Sequence, residues 1–114
     1  MYEYRCHTLR VIDGNTIDAQ IDLGFGVFVK QRIKLFGVNA GNIKNPIHSE
    51  QEAAIAARNK LLELIGNQFV CKTIMNKRGK TGRILGKVYV ETVEGLIDVN
   101  QTMIDLGFAS PFGD

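Results

Sequence analysis

The sequence predicts an α+β, mainly β fold: a five-stranded closed barrel with one main helix between strands 3 and 4 and a short helix near the C-terminus. Three observations predict it. Residues 16–23 alternate with period two, Ile17, Ala19, Ile21 and Leu23 against Asp18, Gln20 and Asp22, the pattern of a strand with one buried face. The early connections, "DGN" and "GFG", are hairpin turns too short to be crossovers. A single long stretch, 49–66, changes to helical spacing.

Each element follows from its residues. Residues 4–12 read as strand 1, and Asp13-Gly14-Asn15 supplies turn chemistry, with Gly14 expected to be free to take a positive φ. Strand 2 covers 16–23, and Gly24-Phe25-Gly26 turns the chain into strand 3 over 27–38. There Val27, Val29, Ile33 and Leu35 share one side, and Lys30, Arg32 and Lys34 the other, which puts three cations on one non-core face. Ser49-Glu50-Gln51-Glu52 reads as a capping box, its hydroxyl and carboxylate satisfying first-turn amides, and Gly66 suits the helix C′ position. Ala54, Ala57, Leu61 and Leu64, joined by Ile55 and Leu62, form a broad apolar stripe expected to be core, with Arg58, Asn59 and Lys60 facing water. Residues 69–75 are strand 4, 77–82 a basic turn containing Gly, and 84–90 strand 5. A short helix spans 100–106 and ends at Gly107. This order argues an OB-fold, the oligonucleotide/oligosaccharide-binding barrel, with helices against it.

With 114 residues and 45% hydrophobic content, the chain is expected to be a single domain, 1–114, with a sufficient core. Cys6 and Cys71 have no metal-ligand spacing around them, so neither a zinc site nor a disulfide framework is expected. No leader-like or membrane-length apolar run occurs, which predicts a soluble, cytoplasmic protein with no membrane partner. The net charge is only +2, but no Asp or Glu lies between Leu23 and Ser49 or between Leu64 and Val90. The cations of those windows form either an anion-binding face or ordinary solvated strand faces.

Several motifs together resemble the staphylococcal nuclease-like (thermonuclease) domain: "VIDGNTIDAQIDLGFGVFVKQRIKLFGVNAG", "EQEAAIAARNKLLELIG", "GKTGRILGKVYV" and "DVNQTMIDLGFAS". Their order and spacing cover nearly the whole chain. The small form with "IDLGFGV" in strand 2 is similar to versions carried by bacteria and their phages, which would place it in the host cytoplasm if phage-encoded.

The resemblance implies a phosphodiester hydrolase that uses carboxylate-held Ca²⁺, a glutamate base and two arginines. It also exposes departures. The family's "DGDT" is Asp13-Gly14-Asn15-Thr16 here, and its "Arg-x-x-x-x-Asp-x-Pro-Glu" becomes Lys34, then Asn39, Ala40, Gly41 and Asn42. Two metal carboxylates are thus Asn15 and Asn39, and the base is Asn42. Lys80, Gly82 and Arg83 agree with "Lys-x-Gly-Arg", while Thr81 stands where an aromatic is usual. An Asn offers one uncharged oxygen to a hard cation whose affinity is tuned by ligand charge. With Asp13 the only retained carboxylate, no metal and no cofactor are expected. Loss of a general base alone lowers rate by roughly 10²- to 10⁴-fold. The cations remain, so the expected function is a catalytically impaired nuclease-like domain that binds nucleic acid or a nucleotide through Lys34, Lys80, Arg83, Arg32 and Thr81.

Two other functions compete with this one. One is an active Ca²⁺-dependent phosphodiesterase with rearranged ligands. The other is a protein-interaction module, or a phage inhibitor of a host nucleic-acid or nucleotide-signalling system, with a host protein as partner. Plainer roles exist for single residues. Asn15 and Asn39 suit turns, Arg83 suits a structural tie, and Glu50 and Glu52 suit a helix N-terminus. His48 is a replacement base only by its position after the altered loop. Tyr2, Tyr4, Phe25, Phe28 and Phe36 are candidates for base stacking, although most barrel aromatics pack in cores or cover hairpins.

Overall fold

A computed structural model describes residues 2–78 and 84–112, the side chains of 75–78 excepted. Its elements run β1 (Glu3–Asp13), β2 (Thr16–Asp22), β3 (Phe28–Leu35), β4 (Val38–Asn39), α1 (His48–Ile65), β5 (Gln68–Arg78), β6 (Ile84–Thr92), β7 (Gly95–Asp98), α2 (Val99–Asp105) and β8 (Ser110–Pro111). Strands β3-β2-β1-β5-β6 form an antiparallel ladder, and a parallel pairing of β3 with β6 closes it into a five-stranded barrel of the expected OB type. β7 extends the sheet beyond β6, and β4 pairs with β8 as a small second sheet. β1 serves both halves of the barrel: residues from Glu3 to His7 pair with β5, and the strand continues along β2 with two register shifts that bend it.

Period two fills the interior as expected. Ile17, Ala19 and Ile21 from β2 and Ile33 and Leu35 from β3 are buried, with Cys6, Phe69, Cys71 and Val88 from the other barrel strands. From outside, α1 adds Ala54, Ala57, Leu61 and Ile65, and α2 adds Val99 and Met103. Each fully buried branched side chain contributes about 1.5–3 kcal/mol, so this cluster carries the main stabilisation of the fold. Burial also disfavours the thiolates of Cys6 and Cys71, whose pKa values are each pushed up to about 12; both thiols are free and stay neutral.

Several local expectations are corrected. Strand 3 does not run through to residue 38. It stops at Leu35, turns at Phe36 and Gly37, where Gly37 takes φ 74°, and resumes as β4. The helix begins at His48, with Ile47 at the N-cap and no side-chain cap, so Ser49 lies inside it and the capping box does not form. Glu52 instead meets His48 Nε2 at 2.8 Å. The apolar stripe is narrower than the sequence suggests, because Leu62 is exposed and Ile65 holds the buried position beside half-buried Leu64. Leu23 is exposed as well. Lys60 does not face open water. It lies half-buried over the Phe108 ring at 6.0 Å and pairs with Glu63.

Gly66 and Gly107 do end their helices, each with positive φ, 56° and 83°. Gly14 is different. Its φ is not left-handed, and a Cβ built there would stand 2.6 Å from Ala40 Cβ and 2.7 Å from Ala57 Cβ. The glycine is needed for the close approach of the β1–β2 turn to the loop before α1 and to α1 itself, not for its backbone freedom.

Candidate functional site

The contact at Gly14 brings three parts of the chain together at one end of the barrel: the β1–β2 turn, the end of β3 with β4, and the loop leading into α1. Backbone bonds fix their alignment, with Leu35 N–H donating to Asn15 O at 2.8 Å and Phe36 N–H to Gly86 O at 2.8 Å. Thr16 sits opposite Lys34 across the β2–β3 ladder. Asp13, Asn15, Lys34 and Asn39 are therefore gathered by the fold. Ile84, which follows Arg83 in the chain, pairs with Ile33, the neighbour of Lys34. Lys80, Thr81 and Arg83 themselves lie outside the described residues.

Each amide of this region has a backbone task. Asn15 Nδ2 donates to Val38 O at 3.0 Å, and its Oδ1 accepts from the Thr16 hydroxyl at 3.2 Å. That tie joins the β1–β2 turn to β4, and an Asp could not make it, since a carboxylate has no hydrogen to give a carbonyl. Asp13 Oδ1 accepts from Asn15 N–H at 3.1 Å. Asn39 Oδ1 accepts from Gly41 N–H at 3.3 Å, Asn42 Oδ1 from Lys44 N–H at 2.8 Å, and Asn45 Oδ1 from Ile47 N–H at 2.9 Å. Three successive Asx turns thus build the loop into α1. Glu50 accepts from Asn45 Nδ2 at 2.8 Å and is held by the loop.

This donor set does not suit a calcium ion, the metal that the fold family implies. Its oxygens from Asp13, Asn15 and Asn39 carry one formal charge and already accept hydrogen bonds of the turns, whereas calcium takes six to eight oxygens and gains affinity from their charge. Among the described residues, no group of three His, Cys, Asp or Glu side chains is placed to hold a metal.

The cations divide in a way the residue pattern alone did not show. Arg32 faces Asp18 directly across the ladder and grips it with two bonds, Nε to Oδ1 at 2.8 Å and Nη2 to Oδ2 at 3.2 Å. Its guanidinium is committed to Asp18 and not to an open anion site. Lys34 is half-buried, with Nζ 4.9 Å from the centroid of the Phe112 ring. Phe112 is brought there by the C-terminal segment, where Val38 pairs with Pro111, Asn39 pairs with Ser110, and Phe112 N–H donates to Gly37 O at 2.9 Å. No periodic signal marks this two-residue strand.

The Arg32 hydrogen bond, opposed in part by burial and helped by the charges of Arg32 and Arg10, holds the Asp18 carboxyl below its ordinary range. A depressed folded-state pKa stabilises above the unfolded value near 4, and that contribution is lost as pH falls through the folded value. Both side chains are partly exposed, so solvent screens the pair and its contribution to stability is small. Urea titrations should therefore show Arg32→Gln slightly less stable than the parent at pH 7, with the gap closing as pH falls below about 4. A gap of equal size at pH 2.5 would show that Arg32 acts through packing and not through its charge.

The family model for "Staphylococcal nuclease homologue" matches residues 32–112. No curated protein matches the chain. The matched segment begins within β3 and contains the altered loop, α1, the β5–β6 hairpin and α2. With the barrel and both helices in place, a match over more than two thirds of the chain establishes that it belongs to the staphylococcal nuclease homologue family.

Proposed function

We propose that this protein binds nucleic acid or a nucleotide through a metal-free phosphate site at the Asn15–Lys34–Asn39 end of the barrel, and that it does not hydrolyse its ligand efficiently. The observation that carries this reading is the bond from Asn15 Nδ2 to Val38 O. At a position where active relatives resemble "DGDT", the amide here performs a structural task that a carboxylate cannot. Asn42 points the same way, because its oxygen closes a turn onto Lys44 N–H and an amide accepts no proton near neutral pH. Fewer carboxylates also mean less repulsion toward a bound anion. Lys34, with Lys80 and Arg83, would supply the attraction.

Purified protein mixed with labelled DNA, RNA and nucleotides, in chelator and then with Ca²⁺ or Mg²⁺, tests the reading. Binding should persist in chelator and weaken with salt, and the labels should stay intact when metal is added. Metal-dependent cleavage that disappears in Arg83→Ala would overturn it in favour of an active nuclease.

A further inference from the structure

The β2–β3 hairpin lies at the opposite end of these strands from the phosphate site, and its tip is built in an unusual way. Gly24, Phe25 and Gly26 all take positive φ, 87°, 57° and 74°. A bulky non-glycine residue seldom adopts that conformation, and the strain persists only where surroundings enforce it. Here they do: Leu23 N–H donates to Val27 O, Val27 N–H to Gly24 O, and Gly24 N–H to Asp22 Oδ1 at 2.7 Å. The Phe25 ring so placed is fully exposed at 104%, beside exposed Leu23, Val27 and Phe28. No core packing accounts for it.

Phe28 begins the outward row of β3 that continues through Lys30 and Arg32 to Lys34. The six steps from Phe28 to Lys34 span about 20 Å at strand rise. Two carboxylates stand across the ladder from that row: Asp18, opposite Arg32, is paired with it and lies 4.0 Å from Arg10, and Asp22, opposite Phe28, is turned to accept from Gly24 N–H. With Arg32 paired to Asp18, Lys30 and Lys34 are the cations of the row that lead to the held, exposed aromatic, an arrangement that suits a polyanion with flat apolar faces, which describes single-stranded nucleic acid. Protein partners meet the apolar tip alone and leave the cationic row unexplained.

We propose that the hairpin tip stacks an unpaired base on Phe25, with Phe28 beside it, so that the ligand is a single-stranded polynucleotide laid along β3 from the tip to the Lys34 site. The proposal rests on the nucleic-acid reading above and narrows it from nucleotide to polymer. A mononucleotide cannot span the distance, so a strand of at least about four residues is required.

Fluorescence anisotropy in chelator, with labelled oligothymidylates of two and twelve residues, tests it. The 12-mer should bind much more tightly than the 2-mer. Phe25→Ala should weaken the 12-mer by roughly 5- to 100-fold and leave the 2-mer unchanged, and Phe25→Tyr should keep parental affinity. Lys34→Glu should weaken both. Equal affinity of the parent and Phe25→Ala for the 12-mer, with Lys34→Glu still damaging, would overturn the stacking site and spare the phosphate site. Absence of binding to either length would overturn both. Unchanged 12-mer affinity in Phe25→Ala, together with release of a protein partner by the same change, would overturn the stacking site and assign the tip to that partner.

Discussion

Replacing Asn100 with Leu should lower stability by about 3–5 kcal/mol, because this one amide fills a gap in the barrel wall. The outer edge of β6 pairs with β3 through Gly86 and with β7 from Tyr89 onward. Val88 lies between, and its N–H donates to Asn100 Oδ1 at 3.0 Å. The same side chain donates from Nδ2 to Phe36 O at 3.0 Å and Gly86 O at 3.2 Å. α2 therefore supplies, from a buried position, the hydrogen bonds that no strand reaches. Each buried backbone group left without a partner costs about 1–3 kcal/mol. Gly86 O keeps its bond from Phe36 N–H, so the loss falls mainly on Val88 and Phe36. Circular dichroism melts should fall by on the order of 10–20 °C; a melt within about 2 °C of the parent would sink the idea.

Asn100→Asp sharpens the test. The new carboxylate keeps an acceptor for Val88 N–H but sets an oxygen against two carbonyls in a buried site, which raises its pKa above the unfolded value near 4. An acid with a raised folded-state pKa destabilises as pH climbs above the unfolded value. That variant should therefore recover stability toward acid pH, relative to Asn100→Leu, which has no titrating group there.

Faces were legible in the sequence where the pattern is periodic and local. Ile17, Ala19 and Ile21, or Ala54, Ala57 and Leu61, reveal their buried side by spacing alone, because a strand or helix fixes which residues share a face. Partners across space were not legible. Arg32 and Lys34 look equivalent on β3, yet the β2–β3 register hands Arg32 to Asp18 and leaves Lys34 beside the tail. Gly14 reads as a turn glycine, but the residues that require it, Ala40 and Ala57, stand far away in the chain. Ser49 and Glu52 satisfy the local signature of a helix start, yet the Asn45 turn onto Ile47 N–H places the N-cap at Ile47, two residues earlier. Asn100 gave no signal at all, since one Asn in a short helix is unremarkable until β3 and β7 are seen to stop short of Val88 on that edge of β6.

The charge of Lys34 gives the largest expected effect on binding. A charge-assisted hydrogen bond to phosphate contributes about 1.5–3 kcal/mol. Reversal to Glu removes it and adds repulsion of about 1–4 kcal/mol at 4 Å, between the limits of water and a protein surface. Lys34→Glu should therefore weaken binding of a phosphate-bearing ligand by roughly 10²-fold or more, and the slope of log affinity against log salt should fall by about 0.7 for each single-strand phosphate that the protein no longer neutralises. Lys34 also packs over Phe112, so a merely structural role must be separated from an electrostatic one. Lys34→Met keeps the apolar stem and drops the charge; if charge toward the ligand is what matters, it should lose affinity by more than the small stability loss expected from removing the cation over the Phe112 ring. Lys34→Arg should strengthen binding, because a guanidinium can hold a phosphate with two bonds where an ammonium acts as a point charge. If Glu, Met and Arg at position 34 all bind as the parent does, the phosphate is not held there, and the site at this end of the barrel is not the one the protein uses.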